Sequence, residues 1–155
     1  MTGEGATEAA GGLVVERVQA AMTAHDIEAL VACFDDEYRS DQPAHPDRGF
    51  GGRAQVRENW SAIFAGVPDF AAELVRAAAD GDIEWSEWRW RGTHADGTPL
   101  DMAGVIVAGV RAGRLAWARL YVEPVERGGA GIRAAVREMA GGAGGEQGVT
   151  PGDRG

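Results

Sequence analysis

Cysteine and histidine are scarce and positive charge is in deficit: 155 residues hold one Cys, three His and 15 Lys plus Arg against 24 Asp plus Glu. One cysteine cannot build a disulfide scaffold, and so few thiol and imidazole ligands cannot assemble a cysteine-rich zinc cluster. A net charge of -9 argues against a nucleic-acid partner. No apolar run approaches the roughly 20 residues needed to cross a bilayer. The opening MTGEGATEAAGG also lacks the basic region and apolar core of an export signal. The expectation is one small domain in a reducing cytosol, without membrane attachment.

Glycine, by contrast, is abundant and concentrated. Ten of the 28 residues from Gly128 to Gly155 are Gly, and ordering them costs backbone entropy that few large apolar side chains return. The expected organisation is a flexible N terminus over 1–11, a domain over 12–125, an extension over 126–140 and a flexible tail over 141–155. Within the extension Ile132, Val136 and Met139 recur at helical spacing, predicting a short helix over 130–140 that docks on the domain.

Leu13, Val14, Val18, Ala21 and Met22 share one helical face, and Ile27, Leu30, Val31 and Phe34 another; Asp26 can cap a second helix there, although one continuous helix through this point also fits. His25 between them reads as a hinge or surface residue. Tyr38 to Gln42 reads as a short strand ended by Pro43, and AHPDRGFGG as a loop. Val56, Trp60, Ile63 and Phe64 mark a third helix beginning near Arg53 and stopped by Gly66 followed by Val67-Pro68. The period then changes, predicting four sequential antiparallel strands near 70–79, 83–92, 100–111 and 114–124. Three helices wrapped by a meander make an α+β cone rather than a nucleotide-binding fold.

Strand IEWSEWRWRG separates two faces by parity. Ser86, Trp88 and Trp90 share one; Trp85, Glu87, Arg89 and Arg91 share the other. Ala118, Leu120 and Val122 alternate likewise with Trp117, Arg119, Tyr121 and Glu123. An apolar concave face and a charged, aromatic convex face reconcile the patterns, with opposite-sign cross-strand pairs on the latter. Trp88 and Trp90 serve either as core or as contacts to an organic ligand.

Asp41 is the carboxylate of chemical interest. Held at the end of a strand against an apolar space, it would have a raised pKa suited to proton transfer, although a loop-stabilising role fits too. Tyr38 could donate to developing negative charge or merely pack at the helix-to-strand junction, and His45 could reach a cavity mouth. His45, His94 and Asp101 lack the spacing of a strong metal signature. Cys33, in an apolar helical segment, reads as inert core.

The pieces DIEALVACFDDEYRSDQP, VPDF, GDIEWSEWRWRGTHADG and GRLAWARLYVE, within residues 12–125, resemble the SnoaL-like polyketide cyclase branch of the NTF2-like superfamily. That group also contains ketosteroid isomerase and limonene epoxide hydrolase. The resemblance implies an NTF2-like cone, with N-terminal helices packed in a curved mixed or mainly antiparallel sheet, and homodimerisation through that sheet. Asp41 matches the proton-transferring Asp of the isomerases, whose oxyanion Tyr and Asp fall at Val18 and Val105. The Arg and two Asp of the epoxide hydrolases fall at Trp88, Trp90 and Leu120, which argues against epoxide chemistry.

The functional expectation is a cofactor-independent isomerase, cyclase or dehydratase for a small hydrophobic carbonyl or polyketide-like metabolite. Asp41, Tyr38 and His45 would carry the chemistry, with Trp60, Phe64, Trp88, Trp90, Val105 and Leu120 holding the substrate and no metal required. The alternative is a noncatalytic hydrophobic-ligand-binding protein using the same cone.

Overall fold

The computed structural model describes residues 12–142, which divide into two compact units after Val125. In the first unit, α1 (Val14–Ala24) buries Val14, Val15, Val18, Ala21 and Met22, the stripe expected from its periodicity. Leu13, at the N-cap position, gives its start no side-chain cap. The Glu84 carboxylate, 70 residues away, accepts from the amides of Val14 and Val15 at 2.9 Å each, supplying negative charge and acceptors to the free N–H groups of the first turn. His25 ends α1 with φ 53°. Its Nε2 lies 2.8 Å from the Phe70 carbonyl and its ring stacks on Phe64 at 4.5 Å, so this hinge is also a packing residue.

Asp26 caps α2 (Ile27–Ala32), accepting from the Ala29 amide at 3.0 Å. The helix stops before Phe34, which opens β1 (Phe34–Asp41) instead of closing the helical face. Strand β1 thus starts four residues ahead of the expected Tyr38, through an acidic run anchored by two cations: Asp35 pairs with Arg111 at 3.0 Å and Asp36 with Arg53 at 2.8 Å. The AHPDRGFGG segment is not wholly loop. It holds a 3-10 turn at Pro46–Arg48 and the two-residue β2 (Phe50–Gly51), which pairs antiparallel with β1.

Helix α3 (Arg53–Gly66) buries Val56 and is followed by β3 (Ala71–Asp80), β4 (Ile83–Thr93), β5 (Pro99–Arg111) and β6 (Arg114–Pro124). The β5–β6 hairpin turns on Ala112 and Gly113, both at positive φ, the twist that a two-residue hairpin requires. The sheet order is β2-β1-β6-β5-β4-β3, with β1 and β6 parallel and the other pairs antiparallel. This is the expected α+β architecture, in which the N-terminal helices pack against one face of a curved mixed sheet.

Cross-strand register confirms the inner face. Ser86 stands opposite Ile106, which stands opposite Leu120; Trp88 stands opposite Gly104, which stands opposite Val122. The other face carries the charged pairs: Arg76 with Glu87 at 3.0 Å, Arg89 with Asp101 at 3.0 Å and Arg91 with Glu73 at 3.9 Å.

The second unit contains α4 (Ile132–Met139), whose Ile132, Val136 and Met139 are exposed. The expected flexible N terminus, and the tail beyond residue 142, lie outside the described residues. Among the described residues no helix is long and apolar enough to cross a membrane.

Candidate ligand cavity

Between α1, α3 and the inner face of the sheet lies a cavity of about 170 Å³. Val15, Val18 and Met22 of α1 form one wall and Val56, Trp60 and Ile63 of α3 another. Trp88, Trp90 and Leu120 contribute from the sheet, together with Phe34 and Tyr38 of β1. The space exists because rigid rings pack edge to face rather than collapsing into it: Trp60 meets Trp90 at 5.4 Å and 78°, and Trp88 meets Trp90 at 6.5 Å and 68°.

The polar groups bordering the cavity are uncharged: Tyr38, Ser40, Gln42 and Asn59, with the two sheet indoles. Burial pushes the Tyr38 phenol up to about 12; a hydrogen bond with Ser40 pulls it down and the Asp41 charge adds a further push upward. Tyr38 is therefore a neutral hydroxyl at physiological pH, able to donate a hydrogen bond and unable to act as a base. The Trp88 indole donates to Ser86 Oγ at 2.7 Å, and that hydroxyl donates to the Ile106 carbonyl at 3.0 Å.

Asp41 does not line this cavity. Strand parity turns Tyr38 and Ser40 inward and Asp41 outward, where it borders a separate hollow with Pro43, Pro46, Arg119 and Tyr121. Gln42 borders both spaces. His45 is likewise absent from the cavity lining; its Nε2 lies 2.7 Å from Glu123 Oε1. Val105 is on the outer face, 37% exposed and opposite Glu87 and Tyr121 in register, so it is not a cavity residue. Phe64 packs against His25, Trp60 and Phe70 behind the lining. Thus Tyr38, Trp60, Trp88, Trp90 and Leu120 come together, whereas Asp41, His45, Val105 and Phe64 do not join them.

Sequence reasoning missed Gln42 and Asn59 as cavity residues. Asn59 sits one position before Trp60 on α3 and could have been found from its helical phase. Cys33 is buried, its thiol contacts the Ala29 carbonyl at 3.4 Å, and burial pushes its pKa up, which disfavours thiolate. The chain has no lysine, hence no side-chain amine to form a Schiff base. No cluster of three or more His, Cys, Asp or Glu suited to a metal ion occurs among the described residues.

A family model described as a SnoaL-like domain matches residues 15–118. Among solved structures, wild-type IdmH from Streptomyces antibioticus, described as a candidate polyketide cyclase, is 20% identical, with a TM-score of 0.63 over 71% of this chain and 89% of that one. A hypothetical protein from Catenulispora acidiphila, with a ketosteroid isomerase-like fold and in complex with trimethylamine, is 19% identical, with a TM-score of 0.61 over 68% and 82% of the two chains. An NTF2-like protein of unknown function from Exiguobacterium is 19% identical, with a TM-score of 0.60 over 74% and 99%. At these identities the likeness is one of fold. No curated protein matches the sequence.

Proposed function

Because the chain belongs to the SnoaL-like domain family, whose fold has the NTF2-like cone architecture, we propose that it uses its inner cavity to bind a small, uncharged and largely apolar molecule. The carrying observation is the lining itself: apolar walls, aromatic rings and neutral hydrogen-bonding groups, with no carboxylate, imidazole or guanidinium among them. A charged ligand entering such a space would lose its hydration without a countercharge. A cavity of about 170 Å³ suits a ligand of about one ring, since an apolar cavity of roughly 150 Å³ holds benzene.

The test is indole NMR with cyclohexanone or acetophenone as probe. Binding in the cavity shifts the signals of Trp60, Trp88 and Trp90 and spares Trp85 and Trp117, which stand outside the lining. Shifts confined to the latter pair would overturn the reading.

A second reading keeps the same cavity and adds cofactor-independent isomerisation, cyclisation or dehydration of a carbonyl compound. It is favoured by the buried neutral phenol of Tyr38 beside Ser40, a donor suited to polarising a carbonyl, and by the description of the Streptomyces neighbour. Under this reading Asp41 would have to reach substrate past Gln42, which borders both spaces. Product formation lost in Asp41→Asn with binding retained supports it; unchanged turnover removes Asp41 from the reaction.

The homodimer expected from the resemblance is also part of this proposal. On the outer face Trp85, Val105 and Tyr121 remain exposed between charged rows, an apolar strip that a second copy would cover.

A further inference from the structure

Two tryptophans two residues apart on β4 both line the cavity, and their indole N–H groups have different fates. That of Trp88 is satisfied by Ser86, whose own proton goes to Ile106. That of Trp90 is buried and has no acceptor, although the side chain is only 7% exposed. A buried donor left unpaired forfeits its hydration with nothing in return, so such a group calls for an explanation. The other unpaired buried donor among the described residues, Arg89 Nε, has a simpler setting: the same guanidinium is held by Asp101 at 3.0 Å, and Arg89 does not border the cavity.

We infer that the cavity's ligand carries a neutral acceptor oxygen, a ketone or aldehyde carbonyl being the simplest, and that Trp90 Nε1–H is its hydrogen-bond donor. The inference rests on the cavity-binding reading and adds the chemistry that selects among ligands of equal size. Amide side chains such as Gln42 and Asn59 offer both donor and acceptor and discriminate little between ligand polarities. An indole N–H only donates. A ligand that fills the space without an acceptor leaves the Trp90 N–H as unpaired as it already is, whereas a carbonyl that reaches it removes that penalty. The edge-to-face contact of Trp90 with Trp60 at 78° gives the N–H at most a weak π partner, which a carbonyl would outcompete.

The experiment compares acetophenone with α-methylstyrene, in which a methylene group replaces the carbonyl oxygen at nearly constant shape. Calorimetric affinities for both probes are measured on the full chain and on Trp90→Phe. The acetophenone preference is expected to fall about three- to tenfold in the variant, the value of one neutral hydrogen bond. The unaltered chain supplies a second readout independent of how the variant folds: acetophenone, and not α-methylstyrene, should move the Trp90 indole proton downfield. An unchanged preference in a folded Trp90→Phe, or the same Trp90 shift with both probes, overturns the anchor while leaving cavity binding in place. If neither probe shifts any cavity indole, cavity binding fails first and the anchor falls with it.

Discussion

Tyr38 and Asp41 stand three positions apart on one strand and serve opposite sides of the sheet. Tyr38 is 4% exposed and borders the inner cavity, while Asp41 borders the outer hollow beside Arg119. An odd spacing on a strand produces that separation whatever the side chains are. It divides the most attractive acid from the space in which an apolar ligand would sit.

Asp41→Asn should therefore leave acetophenone affinity within about twofold of the parent value, as expected for a substitution outside the binding surface. Trp60→Ala, which removes half of the edge-to-face pair with Trp90, should weaken it by about tenfold or more. Calorimetry on the two variants checks both, and a large loss in Asp41→Asn with none in Trp60→Ala would reverse the assignment of the site.

Tyr38 also makes stability depend on alkaline pH. Its phenol is raised from 10.0 to about 12 in the folded chain, so the unfolded chain releases this proton first. The Tyr38 contribution is fully present below pH 10 and declines between pH 10 and 12, by roughly 2–3 kcal/mol in all. Urea midpoints measured across that range should fall in the parent and fall less in Tyr38→Phe. Equal slopes would mean that the phenol is not held neutral by burial.

Glu84 should prove a structural carboxylate. It is 5% exposed and satisfies the amides of Val14 and Val15. Glu84→Ala leaves two buried donors at a helix N-terminus and should cost about 2–3 kcal/mol. The readout is the urea midpoint at constant m-value. A loss below about 0.5 kcal/mol, within the range of an ordinary surface substitution, would show that the cap is replaceable by solvent.

Assembly can be examined without touching the cavity. Sedimentation should report a dimer, and Val105→Asp on the outer face should shift it toward monomer while acetophenone binding persists. An unchanged mass in the variant would remove this face from the interface.

Much of the fold was legible because periodicity is local. The 3.6-residue stripe of α1, the Asp26 cap and the two-residue alternation of IEWSEWRWRG each follow from residues close in sequence. What escaped depends on distant partners. Strand β1 begins among Asp35, Asp36 and Glu37, poor strand formers held there by Arg111 and Arg53. Strand β2 is only a short bridge to Ser40 and Arg39. Glu84 shares parity with Ser86 and Trp88, and its inward position makes sense only once α1 delivers two amides to it.

The outward placement of Asp41 was within reach, because the parity that separates Trp88 from Arg89 on β4 separates Ser40 from Asp41 on β1. The position of Val105 follows from the same alternation on β5, where Ile106 and Ala108 are buried and Val105 is exposed. The unpaired indole of Trp90 was not legible, since it depends on which of two chemically identical groups Ser86 reaches.

The most direct measurement is a crystal structure of the chain soaked with 4-bromoacetophenone, located by the anomalous signal of bromine. Bromine density is expected inside the cavity between α1, α3 and the sheet, with the ketone oxygen within hydrogen-bond distance of Trp90 Nε1. Bromine in the outer hollow beside Asp41 and Arg119, with the inner space closed by its own rings, would contradict it.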